Sequence, residues 1–162
     1  MPPTCIIQLH IWQRQENIEG IYSTVWDAKG DSMYGSRLTP FPDTIRKIAR
    51  KSGEMNTAFN GYFIRNVILK KDGGYILVAD DWYDCNILVC SISNIGVIEW
   101  YNIILTYQSI HLPFIFSYFS TFTSSERVHF LYNSSNKRKL LLLDNTVSED
   151  GKITRNPPLK NE

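Results

Sequence analysis

One segment constrains this chain more than any other. Residues Arg65 to Asp80 read RNVILKKDGGYILVAD. An apolar run, Val67-Ile68-Leu69, leads into Asp72-Gly73-Gly74, and a second run, Tyr75 to Ala79, follows directly. Glycines in so short a connection supply the positive φ angles of a tight turn, so the two runs are predicted to be antiparallel partners in a hairpin. The design recurs downstream. Asn86 to Ile92 reads as a strand, Ser93-Asn94-Ile95-Gly96 as a turn, and Val97 to Leu105 as the next strand. Phe114 to Phe122, Arg127 to Tyr132 and Lys139 to Leu143 follow, separated by Ser124-Ser125, Asn133 to Asn136 and Asn145 to Gly151. Upstream, IIQLHIW, IEGIYSTVW and MYGSRL read as two or three more strands. Strands returning about every ten to fourteen residues are the rhythm of sandwiches, barrels and propellers.

The strands differ from those of a half-wet sheet. Ile87, Leu88, Val89 and Ile92 are apolar at both parities, and so are Ile98, Trp100, Tyr101, Ile103, Ile104 and Leu105. A strand with one solvated face alternates; one without alternation is covered on both faces, as blades are inside a propeller. Only four alanines stand against many Ile, Val, Tyr, Phe and Thr residues, which favours strand over helix. One short helix is predicted near residues 43–51. Asp43 is its N-cap, Ser52-Gly53 its stop, and Ile45, Ile48 and Ala49 its one-sided apolar stripe. The fold class expected is therefore all-β: an antiparallel meander of blade-like sheets forming a partial β-propeller, with a small β-sandwich as the alternative. Residues 1–145 are expected to form a single all-β domain, an incomplete propeller. Residues 146–162, polar and closed by Asn156-Pro157-Pro158, are expected to be a disordered tail.

Charge narrows the partners. Lys and Arg number 17 and Asp and Glu 16, a net charge of +1, without the basic excess of a nucleic-acid binder. The longest uncharged run, Trp100 to Ser125, has the length of a membrane span. Asn102, Thr106, Gln108, His111 and Pro113 interrupt it, so no span is expected. The start, MPPTCIIQLHIW, has no basic n-region and no sustained apolar stretch, so no signal peptide is read there. The cysteines Cys5, Cys85 and Cys90 are odd in number and lack C-x-x-C spacing; they read as small apolar fillers.

The densest polar-aromatic cluster is Asp80-Asp81-Trp82-Tyr83-Asp84. Carboxylates suit a hard cation and flat rings suit a sugar, which makes these five residues the candidate ligand-binding site. The plainer reading is a strand end whose aromatics pack on a neighbouring blade and whose Asp81 carboxylate faces solvent; Trp100, Ile76, Val78, Leu88 and Phe130 are expected in the core. His10, His111 and His129 are scattered without metal-type spacing, so no metal site and no cofactor are predicted. His129 alternates with Val128 and Phe130 and is expected to be half-buried. Glu99 is expected to be a cross-strand or loop-pairing carboxylate rather than an acid catalyst. No catalytic residues are assigned, because the chain has no nucleophile elbow, no P-loop and no paired acid that sequence alone can place.

The succession RNVILKKDGGYILVADDWY, NILVCSISNIGVIEWYNIILTYQS, FSYFSTF and ERVHFLYN, with IEGIYST upstream, resembles a family of uncharacterised Bacteroidetes proteins. The resemblance covers roughly residues 18 to 145 in order. It implies a β-propeller, with the G-x-IEW strand similar to the turn-strand unit of propeller repeats. It also implies a longer chain with a leader peptide, hence the cell envelope or periplasm. The chain departs from the pattern at Leu105-Thr106-Tyr107-Gln108, at Ile110-His111-Leu112-Pro113 and at Ser134, which suggests a divergent copy or a fragment. The family has no established catalytic residues, so the resemblance supplies a fold and little chemistry. Together these readings predict a non-enzymatic binding or scaffold module of unknown ligand, part of a longer protein, with a glycan or a protein as partner and self-association through open blade edges. The alternative is a carbohydrate-active enzyme or glycan-binding domain built on residues 80–84.

Overall fold

The computed structural model describes residues 5–14, 17–27, 29, 33–45, 47, 61–81, 85–106, 119–136 and 139–159. These form eleven strands: β1 (Cys5–Arg14), β2 (Asn17–Asp27), β3 (Met33–Pro40), β4 (Tyr62–Leu69), β5 (Tyr75–Asp81), β6 (Ile87–Ile92), β7 (Ile98–Ile104), β8 (Phe119–Ser124), β9 (Arg127–Asn136), β10 (Lys139–Val147) and β11 (Ile153–Arg155). They make three antiparallel sheets whose spatial order follows the chain: β1-β2-β3, β4-β5-β6-β7 and β8-β9-β10-β11. The all-β class and the meander are as the sequence predicts. The arrangement has three sheets where a small sandwich has two. A helical turn covers residues 43–45 and 47, with Ile45 N–H donating to the Pro42 carbonyl; the rest of the stretch expected to be helical lies outside the described residues.

The middle sheet is covered on both faces. On one, Tyr75, Leu77, Ala79, Leu88, Cys90 and Ile92 pack with Ile18, Ile21, Phe41 and Ile45 from the first sheet and the turn after it. On the other, Ile76, Val78, Ile87, Val89 and Ile104 pack with Val128, Phe130, Tyr132 and Val147 from the third. Register explains the sorting. Leu77 lies opposite Cys90 and Val78 opposite Val89, so alternate residues of β5 and β6 line opposite faces. The apolar doubling of these strands is thus a consequence of two neighbours.

The two junctions between sheets are built alike. The β6–β7 turn closes with Ser93 N–H to the Val97 carbonyl and Gly96 N–H to the Ser93 carbonyl. The β10–β11 turn repeats this with Ser148, Lys152 and Gly151. Gly96 sits against the side chain of Arg37 on β3, and Thr39 Oγ1, two residues on, donates to the Gly96 carbonyl at 2.8 Å. Gly151 sits against the indole of Trp100 on β7, and Asn102 Nδ2, two residues on, donates to the Gly151 carbonyl at 2.6 Å. Trp100 Nε1 also donates to the Glu149 carbonyl at 2.8 Å. A β-carbon on Gly151 would come 2.6 Å from the ring, and φ there is +82°, so glycine is needed twice over.

Three expectations change. Residues 146–159 are not a tail: β10 runs through Val147, β11 pairs with its end, and Leu159 bridges to Leu142, which the short polar turn Ser148 to Lys152 makes possible. Trp100, expected in the core, is only half-buried, because it caps a turn at the edge of the second junction. Asp81, expected at a solvent-facing strand end, is buried.

Candidate functional site

Asp80 and Asp81 close β5, while Trp82, Tyr83 and Asp84 lie outside the described residues. The two described carboxylates do not converge. Asp80 continues the face of Ile76 and Val78, and Asp81 that of Leu77 and Ala79, so they point to opposite sides of the sheet. Asp80, only 4% exposed, takes a 2.7 Å hydrogen bond from Arg65 Nε. Burial pushes its pKa above the ordinary carboxylate range, and the Arg65 guanidinium opposes that shift. Asp81 accepts from Asn86 Nδ2 at 3.4 Å, and the backbones of the two residues bond again where β5 turns toward β6. Each carboxylate is thereby engaged in holding a strand end.

Arg65 reaches Asp80 through a β-bulge. The β4–β5 register steps from Ile64 opposite Ala79 to Asn66 opposite Val78, leaving Arg65 as the extra residue. A bulge re-aims the side chain it adds. Arg65 accordingly lies over the Phe63 ring, 5.7 Å from its centre, on the face that carries Asp80. Asn66, next to the bulge, reaches the third sheet and donates to Thr121 Oγ1 at 2.9 Å.

A second bulge serves a second ion cluster. In β7 the register steps from Ile98 opposite Ile92 to Trp100 opposite Ser91, and Glu99 is the extra residue. Glu99 Oε2 accepts from Lys70 Nζ at 2.5 Å and from Ser91 Oγ at 2.6 Å. Lys70 Nζ also lies 3.2 Å from Asp72 Oδ2. Lys70 starts at the end of β4 and must cross β5 to reach β6 and β7. It does so over Gly74, where a β-carbon would lie 2.8 Å from Lys70 Cε. Burial works against the lysine charge, but the bonds and attraction from Glu99 and Asp72 outweigh it and hold its pKa above the ordinary value. Lys70, foremost, and Ser91 hold the Glu99 carboxyl below its usual range. A protonated lysine cannot serve as a base, and a serine that donates to a carboxylate across two strands is tied to that carboxylate. The cluster clamps the turn end of the middle sheet, in line with the expected cross-strand pairing of Glu99. The sequence shows Lys70 and Glu99 only as members of two turn-strand units; nothing local announces that they meet.

On the outer face of the third sheet, His129 Nδ1 lies 3.2 Å from both Asp144 oxygens, and Asn156 Nδ2 donates to Asp144 Oδ2 at 3.0 Å. The imidazole is stacked on Phe122, with centres 4.4 Å apart and planes 10° from parallel. His129 is half-buried, as its alternation predicts. His10 is exposed on β1, and His111 lies outside the described residues. Among the described residues no three His, Cys, Asp or Glu side chains gather as a metal centre requires. Among them, too, no helix is long and apolar enough to cross a membrane.

Open clefts lie at the turn ends of both junctions. One of about 290 Å³ runs between the β4–β5 and β8–β9 turns, lined by Leu69, Lys70, Lys71, Thr123, Glu126 and Glu149. Lys71 Nζ and Glu126 Oε1 meet across it at 2.6 Å. Another of about 450 Å³ lies between the first and middle sheets, beside Ser23, Arg37, Tyr75 and Asn94. No protein-family model, curated protein or solved structure matches this chain.

Proposed function

We propose that this chain is a binding or scaffold module of β-propeller type, with its three sheets as consecutive blades. The observation that carries this reading is the stack itself. Sheets follow one another in chain order, the middle one is apolar on both faces, and the same glycine-turn clasp joins each to the next. The charged side chains add support, because they tie strands and turns together: Arg65 with Asp80, Lys70 with Glu99, and Lys71 with Glu126 between the turns of neighbouring sheets. Closed propellers have about four to eight blades. Three blades therefore need further sheets, and the working surface belongs to the completed ring.

The reading is tested by incubating the chain with a panel of chromogenic glycosides and running it through gels cast with soluble polysaccharides. Retardation by a polysaccharide, or by none, with no glycoside cleaved, is the expected result. Hydrolysis that Asp80→Asn or Asp81→Asn abolishes would overturn the reading and establish a carbohydrate-active enzyme.

A further inference from the structure

The two clasps seat different side chains, and the difference leaves a cation unspent. In the second, the indole of Trp100 covers Gly151 and gives its single N–H to the Glu149 carbonyl. In the first, Arg37 covers Gly96, and it does so with its stem: a β-carbon on Gly96 would lie 2.5 Å from Arg37 Cδ and 3.2 Å from Nε. The guanidinium beyond carries a fork of N–H donors, and among the described residues it has no hydrogen bond and no ion pair. Gly35, Arg37 and Thr39 share one face of β3, the face turned to the middle sheet, since Thr39 reaches Gly96. Where a β-carbon of Gly35 would stand there is open space. The cleft of about 450 Å³ between the two sheets lies here, and among the described residues Arg37 is the one ionised side chain on its lining. Ser23 and Tyr75 line it from facing sheets. The Tyr75 hydroxyl is buried with no hydrogen-bond partner among the described residues. Burial raises its pKa, and Ser23 beside it offsets this only in part. Ser23 itself donates to the Arg37 carbonyl at 3.4 Å. Buried polar groups are ordinarily satisfied, so this lining holds hydrogen-bonding capacity in reserve.

We propose that this cleft binds a sugar acid, with the carboxylate on the Arg37 guanidinium and the hydroxylated ring among Ser23, Ser93 and Asn94. This rests on reading the chain as a binding module. A lone guanidinium offers one charge in a planar fork, which a carboxylate fills with two parallel hydrogen bonds. A phosphate dianion would bring a second charge that no other cation on the described lining meets. The walls join hydroxyls and an amide to the carbon surface of Ile95 and of the Arg37 stem. A pyranose presents the same mixture, hydroxyls around C–H faces. Asn94 is held in place for this role, because its Nδ2 donates to the Asp72 carbonyl at 3.3 Å across the neighbouring turn. The site lies within one junction and uses no sheet beyond the two that form it.

Titration of glucuronate and of glucose into the full chain, followed by ligand-observed NMR with acetate and inorganic phosphate as competitors, tests this. Glucuronate should saturate the chain, and glucose should bind about tenfold more weakly or worse, because it lacks the charged pair. Neither acetate nor phosphate should displace glucuronate at equal concentration. Arg37→Gln should weaken glucuronate by about tenfold or more and leave glucose unchanged. Arg37 is exposed, so the thermal melt should stay that of the parent. If it does not, Gly35→Leu decides instead: it puts a side chain into open space and should abolish binding of both sugars. No saturation by glucuronate, equal affinity for glucose, or an Arg37→Gln variant that binds glucuronate as the parent does would overturn the proposal. Displacement by acetate would overturn it by showing that the ring is not recognised, and displacement by phosphate by showing that the carboxylate is not. Those outcomes leave the glycoside-cleavage experiment, and the non-enzymatic reading it judges, untouched.

Discussion

The middle and third sheets share strand count, pairing and one kind of turn, yet their burial differs in kind. In the middle sheet, every residue of β5 and of β6 is buried. In the third sheet, β9 alternates: Val128, Phe130, Tyr132 and Ser134 are buried, and His129, Leu131 and Asn133 between them are only partly so. The difference is the number of neighbours. A sheet packed on both sides has no face that gains by being polar, whereas a sheet packed on one side keeps the period-2 signal. The polar side chains Asp80 and Asp81 of β5 and Ser91 of β6 sit where a strand ends or faces a bulge, and there they are paired.

The largest effect that bears on this contrast comes from truncating consecutive residues. Ile87→Ala and Leu88→Ala, on opposite faces of one middle strand, should each cost about 2–5 kcal/mol. Phe130→Ala should cost about 3–5 kcal/mol, but its neighbour Leu131→Ala only about 1 kcal/mol. Denaturant melts of the four variants decide the matter. A cheap substitution at either Ile87 or Leu88 would break the two-sided description. A Leu131→Ala cost that grows with protein concentration would sharpen it, by showing the outer face covered in an assembly.

The clasps come next in size. Trp100→Ala should cost about 2–3 kcal/mol, less than a fully buried tryptophan, because the ring is half-buried and its hydrogen bond to Glu149 is lost. Gly151→Ala should cost about 1–3 kcal/mol through its positive φ and the clash with the indole. The pair should cost less than the sum, since removing the ring removes the clash. Strict additivity in thermal melts would mean that the turn and the ring are not in contact.

Asp81→Ala should cost about 1–3 kcal/mol, because it strips a buried carboxylate from the Asn86 amide. A melt identical to the parent's would return Asp81 to the solvent-facing role its sequence context suggests.

Acid titration should show the smallest effects, and of opposite sign at the two bulges. Glu99 has a folded pKa below its ordinary 4.5, so the unfolded chain takes up the proton first. Its contribution is complete above 4.5 and is lost as pH falls through the lower folded value. Asp80 has a folded pKa above its ordinary 3.8, so the folded chain takes up the proton first. Acidification between those values adds stability there, and raising the pH removes it. Glu99→Gln should therefore flatten the acid limb of a melting-temperature profile, and Asp80→Asn should steepen it. The Glu99 side chain is 38% exposed, which keeps its effect small. The same slope in both variants would mean that the bulges do not set these titrations.

Much of the fold was legible because it is local. The glycine turns at Gly73, Gly96 and Gly151, all at positive φ, lie where the sequence punctuates its apolar runs. The strands between Val67 and Leu105 need only those turns and their own side chains to be recognised. The candidate site was legible only in part. Five residues with ligand-like chemistry stand together in the chain, but alternation along a strand parts Asp80 from Asp81, and each has a partner that no local pattern discloses. His129 and Asp144 are 15 residues apart and meet only because β9 and β10 pair in one register.

The sequence by itself determined that this chain makes strands, where its hairpins turn, and that some strands are dry on both sides. Those features arise from backbone conformation and from side chains a few residues apart, which any short stretch carries with it. Tertiary structure alone decided which sheet covers which face. It also decided that single extra residues at Arg65 and Glu99 aim charges at partners one and three strands away, and that β11 belongs to a sheet. These depend on register summed over whole strands and on surfaces meeting across the stack, where a shift of one residue exchanges the two faces.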